Sequence, residues 1–177
     1  MTKFIERQVV LVDVQDNDLG TMEIYQAHSN PGVLHRAISV LLFNTKGELL
    51  LQKRSELKPL WPLFWSNTVC THPLEKESYL DCAVRRLDEE MGIAIQKSAL
   101  EVVYKFEYQA DYNNELSEHE LDTVIVGKYV GKIEPDEKEV SDYKWVSLDW
   151  IKADIKKAPK NYTPWFKLIL KDQKFSQ

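Results

Sequence analysis

The chain is short of the features that mark several classes of protein. Only two of its 177 residues are cysteine, Cys70 and Cys82, too few for a disulfide framework and in keeping with a reducing cytoplasm. No apolar run approaches the roughly 20 residues a bilayer span demands; the longest, such as 38–43, have the length of a strand. The opening Met-Thr-Lys-Phe-Ile-Glu-Arg mixes charge with apolar side chains and has no apolar h-region, so no secretory leader is expected. Lysine and arginine form no block, and a formal net charge of -5 disfavours a nucleic-acid partner, although a local basic cleft is compatible with it. Internal repeats, low-complexity tracts and linkers are missing too. What is present is a chain 44% apolar and 29% charged, ordinary for a globular protein and long enough for one cored domain over residues 1–177.

Periodicity and turn chemistry place the elements. Residues 8–14 are rich in valine and run into Asp-Asn-Asp-Leu-Gly, a strand and then a turn. Residues 25–34, around Ser-Asn-Pro-Gly, read as an ordered loop that carries His28 and leads to His35. The apolar runs 37–43 and 48–52 flank Asn-Thr-Lys-Gly and predict a hairpin. A basic, proline-containing loop follows over 53–62, and 64–70 returns to the sheet. Ser78 opens the best helix. Asp81 stands where a capping box needs an acid, Leu80, Val84, Leu87 and Met91 form the apolar stripe, and Gly92 supplies the stop.

Beyond that helix, residues 102–110 alternate with period two, Asn113-Asn114 turns the chain, and 118–130 makes a partner strand. A charged loop at 135–139 precedes a short strand at 143–146. Ser147 caps a helix to about residue 155, and Thr163-Pro164 gives a cap and an N1 proline to a last one. Strands interrupted by one helix and followed by others predict an α+β fold, an α/β/α sandwich with a mixed sheet between helices.

The residues able to carry chemistry are few. The histidines are His28, His35, His72 and His119, and Glu118 and Glu120 flank the last. Side chains two apart on a strand share a face, so Glu118 and Glu120 point one way and His119 the other. Three histidines and two carboxylates can thus converge on one divalent cation, a donor set suited to zinc, manganese or iron and less to magnesium. Taken singly, each histidine reads as a loop or surface residue, and the spacing matches neither a zinc finger nor a His-Glu-x-x-His helix. Cys70, in Val-Cys-Thr-His, reads as a buried small hydrophobe or as a reactive thiol tuned by His72. Cys82, inside the helix, reads as structural.

The acidic end of the helix is more specific. Glu77, Arg85, Leu87, Glu89, Glu90, Gly92 and Ile93 fit the spacing of the Nudix box, Gly-x5-Glu-x7-Arg-Glu-U-x-Glu-Glu-x-Gly-U, where U is aliphatic. Thr71 stands where the box has glycine, and Arg86 where it has glutamate. Exchanging that carboxylate for a guanidinium moves the site toward positive charge, weakening a grip on metal and strengthening one on phosphate oxygens.

Three segments in order, Trp61-Pro with Trp65-Ser-Asn-Thr-Val-Cys-Thr-His-Pro, Arg85-Arg86-Leu with Glu90-x-Gly92, and Glu118-x-Glu120, resemble the type 1 isopentenyl-diphosphate isomerases. The resemblance covers about residues 9–165 and implies a Nudix-like fold. It further implies interconversion of isopentenyl and dimethylallyl diphosphate by proton transfer on opposite faces of the allylic unit. On the same ground, Cys70 and Glu120 are the acid–base pair with Tyr108 assisting. His28, His35, His72, Glu118 and Glu120 hold a divalent metal (manganese, zinc or magnesium). Glu90 helps hold a magnesium bound with the diphosphate, Arg54, Lys58 and Arg86 surround the phosphates, and Trp165 faces the hydrocarbon. Ile24 departs, since some members carry a lysine near the phosphates there.

A protonated alkene is a tertiary carbocation, so such a site needs a strong acid, dry walls and π-rich or negative surroundings. A tryptophan face gives about 2 kcal/mol of that when desolvated, and electrostatic placement must supply the larger part. A monomer acting on a small diphosphate is expected, with neither a membrane nor a nucleic acid as partner. A Nudix hydrolase of diphosphates and a silent Nudix-like binding module are the alternatives.

Overall fold

The structure, a computed structural model, describes residues 7–175; the opening segment, read above for a secretory leader, lies outside them. Strands β1 (Gln8–Val12) and β2 (Asp18–Glu23) form an antiparallel pair. The Asp13 carboxylate closes the turn between them, accepting from the Gln15 and Asn17 N–H groups at 2.9 Å. The turn predicted at Asp-Asn-Asp-Leu-Gly is therefore shorter than expected, and β2 begins inside it. Residues 25–34 are also not all loop, because α1 (Ile24–His28) starts them. Its cap is the Glu23 carboxylate, which accepts from the Tyr25 and Gln26 N–H groups. A five-residue helix with a glutamate cap shows neither apolar periodicity nor the usual capping residues.

The predicted hairpin consists of β3 (His35–Phe43) and β4 (Leu49–Arg54). Asn44 Oδ1 accepts from the Lys46 and Glu48 N–H groups, and Gly47 takes the positive φ that the turn requires. Residues 64–70 return to the sheet as two fragments, β5 (Trp65–Ser66) beside β4 and β6 (Val69–Thr71) beside β3. Between them side chains replace the ladder. Thr68 Oγ1 donates to Leu50 O and accepts from Leu42 N–H, while Asn67 Nδ2 donates to Val40 O and Val69 O.

Helix α2 (Tyr79–Met91) begins and ends where predicted. Ser78 Oγ accepts from the Asp81 N–H, but the Asp81 carboxylate accepts from the Ser78 hydroxyl and not from the Ser78 N–H, so the capping box is only half formed. Gly92 closes the helix at φ 60°, and a Cβ there would lie 2.5 Å from the Glu134 carbonyl oxygen.

Strands β7 (Leu100–Asp111) and β8 (Ser117–Lys128) run antiparallel, with a bulge between Val102 and Tyr104. The slip leaves Val102 exposed against the predicted alternation, which holds from Tyr104 onward. β8 also lies parallel to β3 from His35–Glu120 to Phe43–Lys128, and β9 (Val140–Val146) pairs with β4, so the sheet is mixed. Helices α3 (Leu148–Lys157) and α4 (Pro164–Ile169) end the chain. Thr163 occupies the cap position of α4 without making the cap bond; its hydroxyl lies 3.0 Å from Ser66 Oγ instead.

The two faces of the sheet carry separate cores. Ile38, Val40 and Leu42 of β3 pack with Cys82, Leu87 and Met91 of α2. Leu41 packs on the opposite side with Ile151 of α3 and Phe166 and Ile169 of α4. Truncating one of these fully buried leucines to alanine costs about 2–5 kcal/mol. The result is the expected α+β sandwich, a mixed sheet flanked by helices. Among the described residues no helix is long and apolar enough to cross a membrane.

Candidate active site

Strand register gathers the candidate residues. Parallel pairing sets His35 at the start of β3 beside Glu120 of β8, and antiparallel pairing sets Tyr108 of β7 on its other side. β6 places Cys70 opposite Ser39, one position inward, and the chain leaves the strand at His72. His28 arrives from the last turn of α1. Glu118 and Glu120 share the buried face of β8, while His119 turns outward to Glu107, as their spacing requires.

His28, His35, His72, Glu118 and Glu120 converge so closely that one ligating atom from each lies within 4.8 Å of all the others. His28 Nδ1 lies 2.7 Å from the Ile24 carbonyl and His35 Nδ1 2.7 Å from the Val33 carbonyl. A carbonyl can only accept, so these bonds place the proton on Nδ1 and turn each Nε2 lone pair to the centre. Glu118 Oε2 makes no hydrogen bond although His28 Nε2 is 2.8 Å away, and His35 Nε2 has no hydrogen-bond partner among the described residues. Buried acceptors that face one another call for a cation between them, and three imidazoles with two carboxylates suit a divalent ion.

Electrostatics report the same need. Burial would lower the pKa of His28, but Glu118 and Glu120 override it and raise it to about 9, so the two carboxylates favour positive charge there. Burial holds His72 down at about 3 despite its 2.8 Å contact with Glu120 Oε1. Glu120, which burial would push up, is held well below the usual carboxylate range by His35 and His72. Tyr108 Oη donates to its second oxygen at 2.5 Å.

The centre forms one end of a cavity of about 680 Å3. Cys70 lines it, and burial, then Glu120, Asp122 and Glu118, push the thiol well above its ordinary pKa. The thiol therefore keeps its proton. Cys82 lies outside the cavity, in the α2 core. Trp165 walls the cavity from α4. Its Nε1–H donates to Ser66 Oγ and Asn67 Oδ1 at 3.1 Å, fixing the ring against Trp61, Tyr108 and the Arg54 guanidinium. Arg54 in turn binds the Leu60 and Trp61 carbonyls, the latter at a residue with φ 45°, a conformation unusual for an aromatic.

Arg54, Lys58 and Arg86 line the other end, as the sequence predicts, and Ile24 presents an apolar side chain. Two of the three cations are already paired. Lys58 and Arg86 share Glu139, and Arg86 also holds Glu90 and Glu89. Glu90 is fully engaged, with Oε1 on Arg86 and Oε2 accepting from Gln52 Nε2 at 3.1 Å. Lys58 and Arg86 hold Glu139 down at about 2 against the effect of burial.

Two acids were not among the site residues predicted from the sequence. Glu139 sits in a charged loop with no pattern to single it out. Asp122 continues the Glu118, Glu120 alternation along β8, buried with Oδ2 accepting from Ser39 Oγ at 2.7 Å, and period two could have found it.

A profile of the NUDIX domain matches residues 33–166. The chain is 42% identical to isopentenyl-diphosphate Delta-isomerase 1 of Aromatoleum aromaticum, over 94% of this chain and 92% of that one. It is 44% identical to the isopentenyl-diphosphate Delta-isomerase of Pectobacterium atrosepticum, over 91% and 88% of the two chains. In fold it is similar to a Deinococcus radiodurans protein of known structure, with a TM-score of 0.69 at 18% identity, covering 85% of this chain and 90% of that one. A cavity with an imidazole–carboxylate centre at one end and guanidinium groups at the other, on a NUDIX domain whose relatives match across nearly their whole length, leaves one assignment: the chain belongs to the isopentenyl-diphosphate Delta-isomerase family.

Proposed function

We propose that the chain interconverts isopentenyl and dimethylallyl diphosphate, as an isomerase that neither cleaves the diphosphate nor merely binds it. The observation that carries this reading is that a protonated thiol, Cys70, and an ionised carboxylate, Glu120, line one cavity with a cationic far end. Isomerisation needs one proton added to the terminal alkene carbon and one removed from the carbon beside the diphosphate-bearing arm. Cys70 and Glu120 each handle one of these, exchanging roles with the direction of reaction. Tyr108, through its bond to Glu120, steadies the carboxylate and relays its proton. Trp165 faces the developing carbocation, and Arg54, Lys58 and Arg86 hold the diphosphate.

His28, His35, His72, Glu118 and Glu120 would hold a manganese, zinc or magnesium ion, which would polarise Glu120 and neutralise the centre. Glu90 would serve the magnesium that accompanies the diphosphate, giving up its bond to Arg86 as that guanidinium turns to the phosphates. Arg86 itself argues against hydrolysis, because it replaces a carboxylate of the hydrolytic box. The reading treats residues 1–177 as one domain, monomeric and cytoplasmic, with a small diphosphate as its partner.

The test is to supply isopentenyl diphosphate with divalent metal and follow both the dimethylallyl product and phosphate release. Isomer without phosphate is expected. Phosphate without isomer, or no product, would overturn the reading. Metal analysis of the purified protein identifies the ion at the histidines.

A further inference from the structure

The cavity carries one guanidinium that no role above accounts for. Arg7, immediately before β1, lines the same wall as His72 and Arg86. Its Nη2 donates to the His72 carbonyl at 3.0 Å and to Thr71 Oγ1 at 3.4 Å, both neutral acceptors. Among the described residues no carboxylate lies within ion-pair distance of it, whereas Lys58 and Arg86 are both paired. A half-buried guanidinium facing a cavity, held only by neutral oxygens and flanked by other cations, is completed by an anion.

Its position says where that anion comes from. The Arg7 carbonyl accepts from the Ile24 N–H at 2.8 Å, so the two residues are backbone neighbours, and Ile24 adds only apolar surface to the wall. Of the five N–H donors of a guanidinium, those on Nε and Nη1 make no hydrogen bond among the described residues, and they suit phosphate oxygens. We infer that Arg7 is a substrate-binding residue that grips the diphosphate from the β1 side, supplying the charge that Ile24 does not. The inference rests on the isomerase reading for the identity of the substrate. Its anion chemistry is shared by any diphosphate.

The competing role is purely structural, with Arg7 pinning the His72 segment. Glutamine at position 7 keeps an N–H donor for the His72 carbonyl and removes the charge. The experiment titrates inorganic pyrophosphate, with magnesium in excess, into metal-loaded wild type, Arg7→Gln, and Arg7→Gln combined with Ile24→Lys, measuring metal retention alongside. Expected is at least about a tenfold loss of pyrophosphate affinity in Arg7→Gln, with metal retention equal to wild type and recovery on adding Ile24→Lys. In turnover, KM for isopentenyl diphosphate rises by more than kcat falls. Pyrophosphate affinity within about twofold of wild type, or a loss of metal parallel to the loss of affinity, would overturn the inference. So would a wild type that does not bind pyrophosphate. A wild type that binds it through Arg7 yet makes no isomer would sink the isomerase reading and leave Arg7 standing.

Discussion

The two ends of the cavity are built on opposite electrostatic plans. At the inner end, acceptors outnumber donors: among the described residues His35 Nε2 and Glu118 Oε2 make no hydrogen bond, and Glu120 is held ionised beside them. At the outer end the cations are mostly satisfied, with Glu139 joining Lys58 to Arg86 and Arg86 clamping Glu90. An end with unmatched acceptors is preorganised for a cation and needs no rearrangement to take it. A network of satisfied ion pairs has to exchange partners, so an incoming diphosphate competes with Glu139 and Glu90 for the same guanidinium. The inner end is thus a fixed instrument and the outer end an adjustable one.

The sharpest way to break this contrast is at the fixed end. Cys70→Ala and Glu120→Gln should each lower kcat by about 10²–10⁴, read as the rate of isomer formation, while thermal unfolding stays cooperative. Near-normal turnover in either variant would remove the acid–base pair from the reading. Next comes His72→Ala, which takes away one of the five converging ligands. Metal affinity should fall by at least about 10–100-fold in a competition with a chelator, and turnover should fall with it. If metal content and activity both survive, the histidines are structural.

The adjustable end should respond with the opposite sign. Glu139→Gln removes the carboxylate shared by Lys58 and Arg86. Stability should drop by about 1 kcal/mol, as for a partly exposed ion pair, while pyrophosphate binds more tightly because its competitor is gone. Weaker pyrophosphate binding in that variant would mean that Glu139 positions the cations for substrate instead of competing with it.

The smallest effect is in pH. The pKa of Glu139 falls from 4.5 to about 2 in the folded protein, so its contribution is complete above the unfolded value and disappears as pH falls toward the folded one. The stability gap between wild type and Glu139→Gln should therefore be constant above about pH 5 and shrink below it, as urea unfolding can measure. A gap that persists at about pH 2 would assign the effect to packing.

Much of this contrast could be read in advance, for reasons that differ by residue. Helix α2 announced itself through Ser78, its apolar stripe and Gly92, all local signals. The common face of Glu118 and Glu120 followed from strand geometry alone. Helix α1 was hidden because five residues are too few for a period, and the bulge at Val102 because register depends on the partner strand. The pairing of Arg86 with Glu139 was also beyond reach, since 53 residues separate them and Glu139 lies in no patterned stretch.

By itself, then, the sequence determined the periodic elements, the α+β class and the kinds of chemistry on offer, because periodicity and residue type are local properties. Only the tertiary structure decided what those residues do to each other. Parallel pairing of β3 with β8 brings His35 to Glu120, and the Ile24 and Val33 carbonyls aim two imidazoles inward. The loop before β9 delivers Glu139 to Lys58 and Arg86, and the foot of β1 sets Arg7 at the cavity wall with no carboxylate partner among the described residues. Charge acts through space at distances of a few ångströms, and chain separation carries no information about which charges will meet.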